Sequence, residues 1–196
     1  MPPASLRPAV FLDRDGVIVE NRADYVKSLA EVQFIPGAVE ALARLARHDV
    51  LIVIVTNQSA IGRGVVSHEI VDAINAHVIE QIASGGGRVD GLYLCPHHPQ
   101  AGCPCRKPAP GMLWEAARDL GIDLGASVLI GDALTDAQAA QAAGVKPILV
   151  LTGLGGAQTR GPEAAQRNHI LTVPDLAAAI ELTLRETRWP MKTPPK

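Results

Sequence analysis

Short apolar runs alternate with amphipathic stretches along this chain. Residues 9–12 form an apolar run that ends abruptly in charged residues and glycine, which indicates a buried strand. Residues 51–55 are a β-branched run, typical of a strand covered on both faces. Between these runs, residues 37–48 place apolar side chains on one face of a helix. The alternation continues, with strands predicted at 92–94, 128–130, 148–151 and 169–171 and helices predicted at 67–83, 110–120, 135–143 and 174–186.

This order of elements predicts an α/β fold with a parallel sheet and helices on both of its faces. The chain has 196 residues, a length that suits one domain, which we place at residues 8–187. Residues 1–7 and 188–196 are rich in proline and are predicted to be loose tails. Hydrophobic residues make up 47% of the chain, which is enough for a buried core and excludes a disordered chain.

Charge and composition exclude several functions. The formal net charge is -2 and aromatic residues are only 3%, which argues against nucleic-acid binding by a basic surface or by base stacking. No apolar run approaches the roughly 18 residues that a membrane helix needs. The chain has three cysteines and no secretory signal, a combination that disfavours a disulfide framework. We therefore expect a monomeric protein in a reducing cytoplasm, without a nucleic-acid or membrane partner.

Polar residues follow several of the predicted strands directly. Because the carboxyl ends of parallel strands meet at one edge of a sheet, these residues are expected to lie together. Carboxylates beside cations suit a phosphate ester handled with Mg²⁺, and an aspartate can itself attack phosphorus. Any single aspartate at a strand end is more simply explained as a helix cap, but the whole set is not. The set comprises Asp13, Asp15, Thr56, Asn57, Ser59, Asp132 and Asp136, with Arg106 and Lys107 ahead of a helix.

Four separated motifs occur in an order that resembles the haloacid dehalogenase (HAD) phosphohydrolase superfamily. They are FLDRDG at 11–16, VTNQS at 55–59, CRKP at 105–108 and IGDALTD at 130–136. The resemblance covers residues 9 to about 152 and implies a Rossmann-like HAD fold. The stretches that follow the first two motifs are short, so the fold is expected to be capless.

The resemblance also implies a role for each matching residue. Asp13 would be the nucleophile and Asp15 the general acid/base. Thr56 and Lys107 would bind the transferring phosphoryl group. Asp132 would hold Mg²⁺ together with the Asp13 carboxylate and the Asp15 backbone carbonyl. In the same motif, the second aspartate at 136 more often orients its neighbours than binds the metal.

Elementary chemistry agrees with the roles of the first two aspartates. Asp15 lies two residues after Asp13, so both side chains can face one phosphate at an extended strand end. One carboxylate attacks while the other protonates the leaving alkoxide, a proton transfer typically worth about 10²–10⁴ in rate. Lys107, Thr56 and the metal supply the positioning and charge neutralisation on which phosphoryl transfer otherwise depends.

All three cysteines lie in one loop, which reads CPHHPQAGCPC at 95–105. Three thiols and one imidazole can form a tetrahedral Zn²⁺ site with a closed shell, which predicts a structural and not a catalytic zinc. The predicted ligands are Cys95, His97, Cys103 and Cys105, and His98 is the alternative imidazole. The loop leads directly into Arg106-Lys107, so the zinc would position both cations. A nucleic-acid-binding zinc ribbon is disfavoured by the acidic charge balance.

The cysteine loop narrows the resemblance to the D-glycero-D-manno-heptose 1,7-bisphosphate 7-phosphatases and the related histidinol-phosphate phosphatases. The run TNQSAIGRG at 56–64 is closer to the heptose branch. That likeness implies that Ser59, Arg63 and Arg106 contact substrate phosphate or sugar, with Asn57 beside them. Ala133, directly after Asp132, occupies a position at which the heptose enzymes often carry a lysine.

The implied function is Mg²⁺-dependent hydrolysis of heptose bisphosphate at the 7-phosphate through an aspartyl-phosphate. Within enzymes, a histidinol-phosphate phosphatase or a phosphatase for another small phosphate monoester is the alternative. Outside enzymes, the alternative is a receiver-type phosphoacceptor, although receivers carry the phosphoaccepting aspartate after strand three. The glycine run at 153–156 lacks dinucleotide-binding spacing and indicates a turn or the rim of the site.

Overall fold

The computed structural model describes residues 6–158 and 169–192. A six-stranded parallel sheet lies at its centre with the strand order β3-β2-β1-β4-β5-β6. This order confirms the predicted doubly wound α/β architecture. The strands are β1 (Ala9–Leu12), β2 (Leu51–Asn57), β3 (Gly91–Cys95), β4 (Val128–Gly131), β5 (Lys146–Val150) and β6 (Leu171–Val173).

Helices connect the strands, and most of them lie where the apolar spacing predicts them. Ser67 caps the longest helix by accepting a hydrogen bond from the Ile70 amide, as its position in the sequence predicts. The helices are α1 (Ala38–Leu45), α2 (Ser59–Gly62), α3 (His68–Ser84), α4 (Gly111–Leu120), α5 (Leu134–Ala143), α6 (Gly155–Gln158) and α7 (Leu176–Thr187).

Alternate residues of the central strands enter separate cores on the two faces of the sheet. Val10 and Leu12 of β1 belong to one buried cluster, formed with side chains of α1, α3 and α7. Ala9 and Phe11 of the same strand belong to the other cluster, formed with side chains of α4 and α5. All four residues of β1 are buried because both faces are covered.

The strand order reverses direction between β1 and β4, and the candidate chemistry lies at this point. β1 pairs with β2 on one side and with β4 on the other. Connections on the two sides therefore diverge from the carboxyl ends of β1 and β4, leaving a crevice between them. Asp13 directly follows β1 and Asp132 directly follows β4, so the fold brings together two motifs more than a hundred residues apart.

The structure corrects the position of one strand and adds two short helices that were not predicted. The edge strand predicted at 169–171 is wrong in position, because β6 pairs with β5 over Leu171–Val173. The short helix α2 follows β2 directly and was not predicted, since four residues are too few for a periodic apolar signal. The four-residue helix α6 was not predicted either; it begins within the glycine run at 153–156, whose first residues form the predicted turn.

Both tails form contacts where the structure describes them. The Asp49 amide donates to the Pro190 carbonyl, and the Lys192 amide donates to the Arg47 carbonyl. At the other end, Arg7 forms an ion pair with Asp49 at 2.7 Å. The loose tails therefore stay a prediction, and residues 1–5 and 193–196 lie outside the described residues. No helix in the described ranges has the length and apolar character needed to span a bilayer.

The packing of α1 gives a test of the core. Leu42 is fully buried between α1 and the sheet, so Leu42→Ala should lower the free energy of unfolding by about 2–5 kcal/mol. Leu29→Ala is the matched control, because Leu29 is 49% exposed and its replacement should change stability by less than about 0.5 kcal/mol. Urea denaturation of both variants measures the difference, and equal effects would contradict the assigned core.

Candidate active site

A buried lysine forms the centre of the polar cluster at the carboxyl ends of β1, β2 and β4. The Lys107 side chain is 1% exposed, and its Nζ lies 3.0 Å from Asp13 Oδ2 and 2.5 Å from Asp136 Oδ1. The ammonium also donates to the Val55 carbonyl at 2.9 Å. Burial alone would lower the pKa of Lys107, but the two carboxylates raise it above its ordinary value, so the lysine is charged.

The carboxylates outnumber the single ammonium that faces them. Oxygens of Asp13, Asp132 and Asp136 all lie within 4.8 Å of one another. Burial raises the pKa of Asp13 to about 6, and burial together with the neighbouring carboxylates raises that of Asp132 to about 8. A further positive charge beside Asp13 and Asp132 would thus favour their ionised forms. A hard divalent cation with oxygen ligands fits this donor set.

Asp136 is already committed to neighbouring protein groups. Its side chain is fully buried, its Oδ1 pairs with Lys107, and its Oδ2 accepts from the Ala133 amide at 3.0 Å. Asp136 therefore closes the first turn of α5 and orients the lysine. This arrangement agrees with the orienting role that the sequence suggested.

Asp132 lies in a slot between two loop glycines. Gly16 and Gly153 both have positive φ angles, and a Cβ at either position would overlap Asp132 Oδ2. The Leu154 amide donates to the same oxygen at 2.7 Å. The Thr152 hydroxyl joins the two loops by donating to the Gly16 carbonyl at 2.6 Å. The glycine run after β5 is thus part of the site, because it packs against the Asp132 carboxylate and binds it through the Leu154 amide.

Residues at the end of β2 position the lysine and line the crevice. The side-chain amide of Asn57 forms two hydrogen bonds with the Lys107 backbone, each 3.1 Å long: Nδ2 donates to the Lys107 carbonyl and Oδ1 accepts from the Lys107 amide. Asn57 therefore holds Lys107 in place. Thr56 is 1% exposed and its hydroxyl accepts from Gln58 at 3.0 Å. Ser59 begins α2 and lies in the wall of the cleft.

The second aspartate of the first motif lies apart from the acidic cluster. Arg14 donates to both carboxylate oxygens of Asp15, at 3.0 Å from Nε and 2.8 Å from Nη2. Gln58 donates to Asp15 Oδ2 at 2.8 Å. Two carboxylates only two residues apart in sequence thus have separate cationic partners, since Asp13 pairs with Lys107. Asp15 still borders the cleft, with 23% of its side chain exposed.

A cleft of about 300 Å³ opens over these residues. Arg63 and Arg106 lie in its wall, as expected for residues that contact substrate. The loop after β1 adds Asn21, Arg22 and Tyr25, which the sequence analysis missed. The signal that could have found them is their position, in the polar stretch directly after the first aspartate motif. No cap domain covers the cleft within the described part of the chain.

The cysteine loop gathers its four predicted ligands into one cluster. Cys95, His97, Cys103 and Cys105 place their ligand atoms within 4.8 Å of one another. The Sγ and Nδ1 separations are 3.2–3.6 Å, near the roughly 3.8 Å edge of a tetrahedron built from 2.3 Å zinc–sulfur bonds. His98 lies outside the cluster, because its Nδ1 accepts from the Gln100 amide. The donor set fits a closed Zn²⁺ site.

Comparison with known proteins first defines the class. A family model described as HAD-hydrolase-like matches residues 104–179. The crystal structure of D,D-heptose 1,7-bisphosphate phosphatase from Bordetella bronchiseptica, complexed with magnesium and phosphate, superposes with a TM-score of 0.84 and 40% identity. That superposition covers 91% of this chain and 99% of the other. The fold is thus that of HAD-like hydrolases.

Sequence relatives narrow the class to one family. D-glycero-beta-D-manno-heptose-1,7-bisphosphate 7-phosphatase of B. bronchiseptica is 41% identical over 180 residues, which are 90% of this chain and 98% of the relative. The enzyme of the same name from Vibrio cholerae is 46% identical over 155 residues, covering 75% and 83%. The chain belongs to this family of heptose bisphosphate phosphatases.

The slot around Asp132 predicts the effect of one methyl group. Gly153→Ala should push the Asp132 carboxylate out of place and lower Mg²⁺ affinity by about 10–100-fold, the usual cost of disturbing the groups around a metal ligand. Isothermal titration with Mg²⁺ measures the change.

Gly121→Ala is the matched control for backbone strain. Gly121 has a positive φ of +66°, and nothing lies within 4 Å of an added Cβ. It should lose about 1 kcal/mol of stability and keep its metal affinity. Equal Mg²⁺ affinities in the two variants would contradict the assigned slot.

Proposed function

We propose that this protein hydrolyses the 7-phosphate of D-glycero-D-manno-heptose 1,7-bisphosphate. The observation that carries the proposal is the cluster of Asp13, Lys107 and Asp132 at the switch point of the sheet. The family relatives support the substrate, since their name specifies the beta anomer of this bisphosphate. An open cleft of about 300 Å³ without a cap domain in the described residues suits a small sugar phosphate.

In the first step, Asp13 acts as the nucleophile. Its carboxylate oxygen attacks phosphorus, the bond from phosphorus to the sugar oxygen breaks, and an aspartyl-phosphate forms. Asp15 gives its proton to the leaving sugar oxygen. Lys107 and Thr56 bind the phosphoryl oxygens, and Lys107 already lies 3.0 Å from the attacking carboxylate.

In the second step, Asp15 takes a proton from water as that water attacks phosphorus. The bond between phosphorus and the Asp13 oxygen breaks, which releases phosphate and restores the carboxylate. Asp15 ends this step protonated, so both active-site aspartates return to their starting states. This second step distinguishes a phosphatase from a receiver, which keeps its phosphate for long periods.

A magnesium ion completes the charge balance of the site. Asp13, Asp132 and the Asp15 backbone carbonyl would hold Mg²⁺, which neutralises charge on the phosphoryl oxygens when bound. Burial raises the pKa values of Asp13 and Asp132, and a bound cation would favour the ionised form of both carboxylates, which supports this assignment. Magnesium and phosphate are also bound in the related Bordetella structure.

The second phosphate of the substrate needs its own cations. Arg63 and Arg106 lie in the cleft wall, beside Ser59, and a guanidinium can bind phosphate through two parallel hydrogen bonds. Arg106 Nη1 is buried without a hydrogen-bond partner among the described residues, so a donor is free for substrate. Asn57 contributes by fixing Lys107 and completes the predicted set of substrate-binding residues.

Zinc in the cysteine loop is structural in this proposal. The four ligands leave no open coordination position, and the loop continues from Cys105 directly into Arg106 and Lys107. The same loop contacts α2, where the Gly62 amide donates to the Pro96 carbonyl at 2.8 Å. The zinc would thereby fix two walls of the cleft at once.

We further propose that the enzyme acts as a monomer in the cytoplasm. The three cysteines form no disulfide and are the proposed zinc ligands, a use of cysteine that suits a reducing compartment.

Phosphate release in the presence of Mg²⁺ tests the substrate. Heptose 1,7-bisphosphate should be preferred to histidinol phosphate by more than about tenfold in kcat/KM, since one extra charged contact is worth about 1.5–3 kcal/mol. Asp13→Asn should abolish turnover and keep the fold, because the amide is a poor nucleophile. Preference for histidinol phosphate would overturn the substrate, and an active Asp13→Asn enzyme would overturn the nucleophile.

Removal of one cysteine tests the zinc. Cys103→Ser should lose bound zinc, as measured by elemental analysis, and lose activity by about 10–100-fold because the approach of Arg106 and Lys107 is no longer fixed. His98→Ala is the matched control and should keep both zinc and activity, since His98 lies outside the cluster. A zinc-free protein with full activity would refute the structural role.

A further inference from the structure

Arg14, between the two catalytic aspartates, carries a side chain that the mechanism does not use. It is the largest fully buried side chain of the described protein, with 1% exposure. Burying a guanidinium is costly unless its donors are paired, so its partners indicate what it does. Two of its three nitrogens donate to Asp15, one to each carboxylate oxygen, at 3.0 and 2.8 Å. This is the planar two-point geometry that distinguishes arginine from lysine.

The third nitrogen of Arg14 is held by a different element. Nη1 donates to Asn75 Oδ1 at 2.7 Å, and Asn75 lies within α3, 61 residues later in the sequence. Asn75 is 5% exposed, and its Nδ2 has no hydrogen-bond partner among the described residues. An unpaired amide nitrogen in a buried position costs stability, so this asparagine is not favourable for the fold by itself. We infer that its role is to fix the arginine through its side-chain oxygen.

Gln58 completes the support around Asp15. Its Nε2 donates to Asp15 Oδ2 at 2.8 Å and to the Thr56 hydroxyl at 3.0 Å. The general acid/base is thus connected to a residue that binds the transferring phosphoryl group. Three donors from two side chains fix the plane of the Asp15 carboxylate, and the side chain is reachable from the cleft.

We propose that Arg14 is a positioning residue that orients Asp15 for proton transfer, and that Asn75 holds Arg14 in place. The inference rests on the proposed function, in which Asp15 exchanges a proton with the leaving sugar oxygen and with water. Neither the Arg14 nor the Asn75 side chain lines the cleft, so each side chain acts through Asp15. The Arg14 main-chain amide separately donates to Asp13 Oδ1 at 2.7 Å, a contact that a change of side chain leaves in place. A carboxylate held in one plane can direct an oxygen at the leaving group, whereas a misplacement of about 1 Å can cost 10²-fold in rate.

The leaving group provides a readout that a merely structural role would not change. A sugar alkoxide is a poor leaving group and needs a proton from Asp15, but 4-nitrophenolate is stable in water and leaves without one. The ratio of kcat/KM values for heptose bisphosphate and 4-nitrophenyl phosphate therefore reports the general acid alone. This parameter covers the first chemical step and excludes hydrolysis of the aspartyl-phosphate.

The experiment compares variants of the Mg²⁺-bound enzyme on these two substrates. Arg14→Lys keeps the charge and loses the two-point contact, so kcat/KM for heptose bisphosphate should fall by about 10²-fold. The value for 4-nitrophenyl phosphate should fall less than about threefold by the same argument. Asn75→Leu keeps the volume and removes the acceptor, and it should shift the ratio in the same direction by about tenfold.

Arg88→Lys is the matched control for loss of a partly buried arginine. Arg88 pairs with Asp90 and donates to the carbonyls of Ala46 and Val50, away from the cleft. It should lower stability without changing the ratio. Thermal melts of all variants verify folding, and Asn75→Leu keeps the inference testable if Arg14→Lys does not fold.

Two outcomes separate failure of this inference from failure of the proposed function. If Asp15→Asn changes the substrate ratio but neither Arg14→Lys nor Asn75→Leu does, the positioning role is overturned and the mechanism stands. If Asp15→Asn leaves the ratio unchanged, the acid/base assignment itself is wrong and the inference falls with it. If the wild type prefers histidinol phosphate, that alkyl phosphate replaces heptose bisphosphate in the same comparison.

Discussion

The buried ammonium of Lys107 is the interaction on which the catalytic half of this structure depends. It lies between Asp13 and Asp136 and also reaches the carbonyl of Val55, so it joins β1, β2 and α5 at one point. Without this charge, the buried carboxylates would repel one another and take up protons. Much of the surrounding architecture serves to keep the lysine in place, including the amide of Asn57 and the first turn of α5.

In the proposed mechanism, Asp13 and Asp15 have different tasks, and the positive charge beside them is divided accordingly. Asp13 must remain an ionised nucleophile beside phosphate, and it forms an ion pair with Lys107. Asp15 must gain and lose a proton, and the guanidinium of the neighbouring Arg14 donates to both of its carboxylate oxygens. Because each carboxylate has its own cationic partner, two aspartates close together in the sequence can take different roles, one as a nucleophile and the other as an acid.

The cysteine cluster holds together a loop with few other apolar side chains, and its cysteines also pack against the buried core on one face of the sheet. The loop at 95–105 is rich in proline, glycine and polar residues, so few apolar groups are available to fix its path. Four ligands to one ion can constrain such a segment, since metal binding contributes directly to folding. The segment supplies Arg106 and Lys107, so the precision of the catalytic cluster depends on the metal and on the sheet together.

Periodicity and motif order were sufficient to predict the sheet, most helices and the aspartates at the ends of β1 and β4. These features follow from local apolar spacing and from the rule that parallel strands share their carboxyl edge. Elements of four residues, such as α2 and α6, left no periodic signal. The edge strand β6 lies two residues later than predicted. Its position depends on pairing with β5, and sequence alone does not specify that register.

The sequence by itself determined the fold class, the family resemblance and the residue types at the site. Only the tertiary structure decided which atoms those residues contact. The partnership of Arg14 with Asn75, the slot for Asp132 between Gly16 and Gly153, and the loop residues in the cleft wall could not be read from the chain. The physical reason is that hydrogen-bond partners and close contacts depend on distances between segments, whereas sequence patterns report only the environment of each segment along its own length.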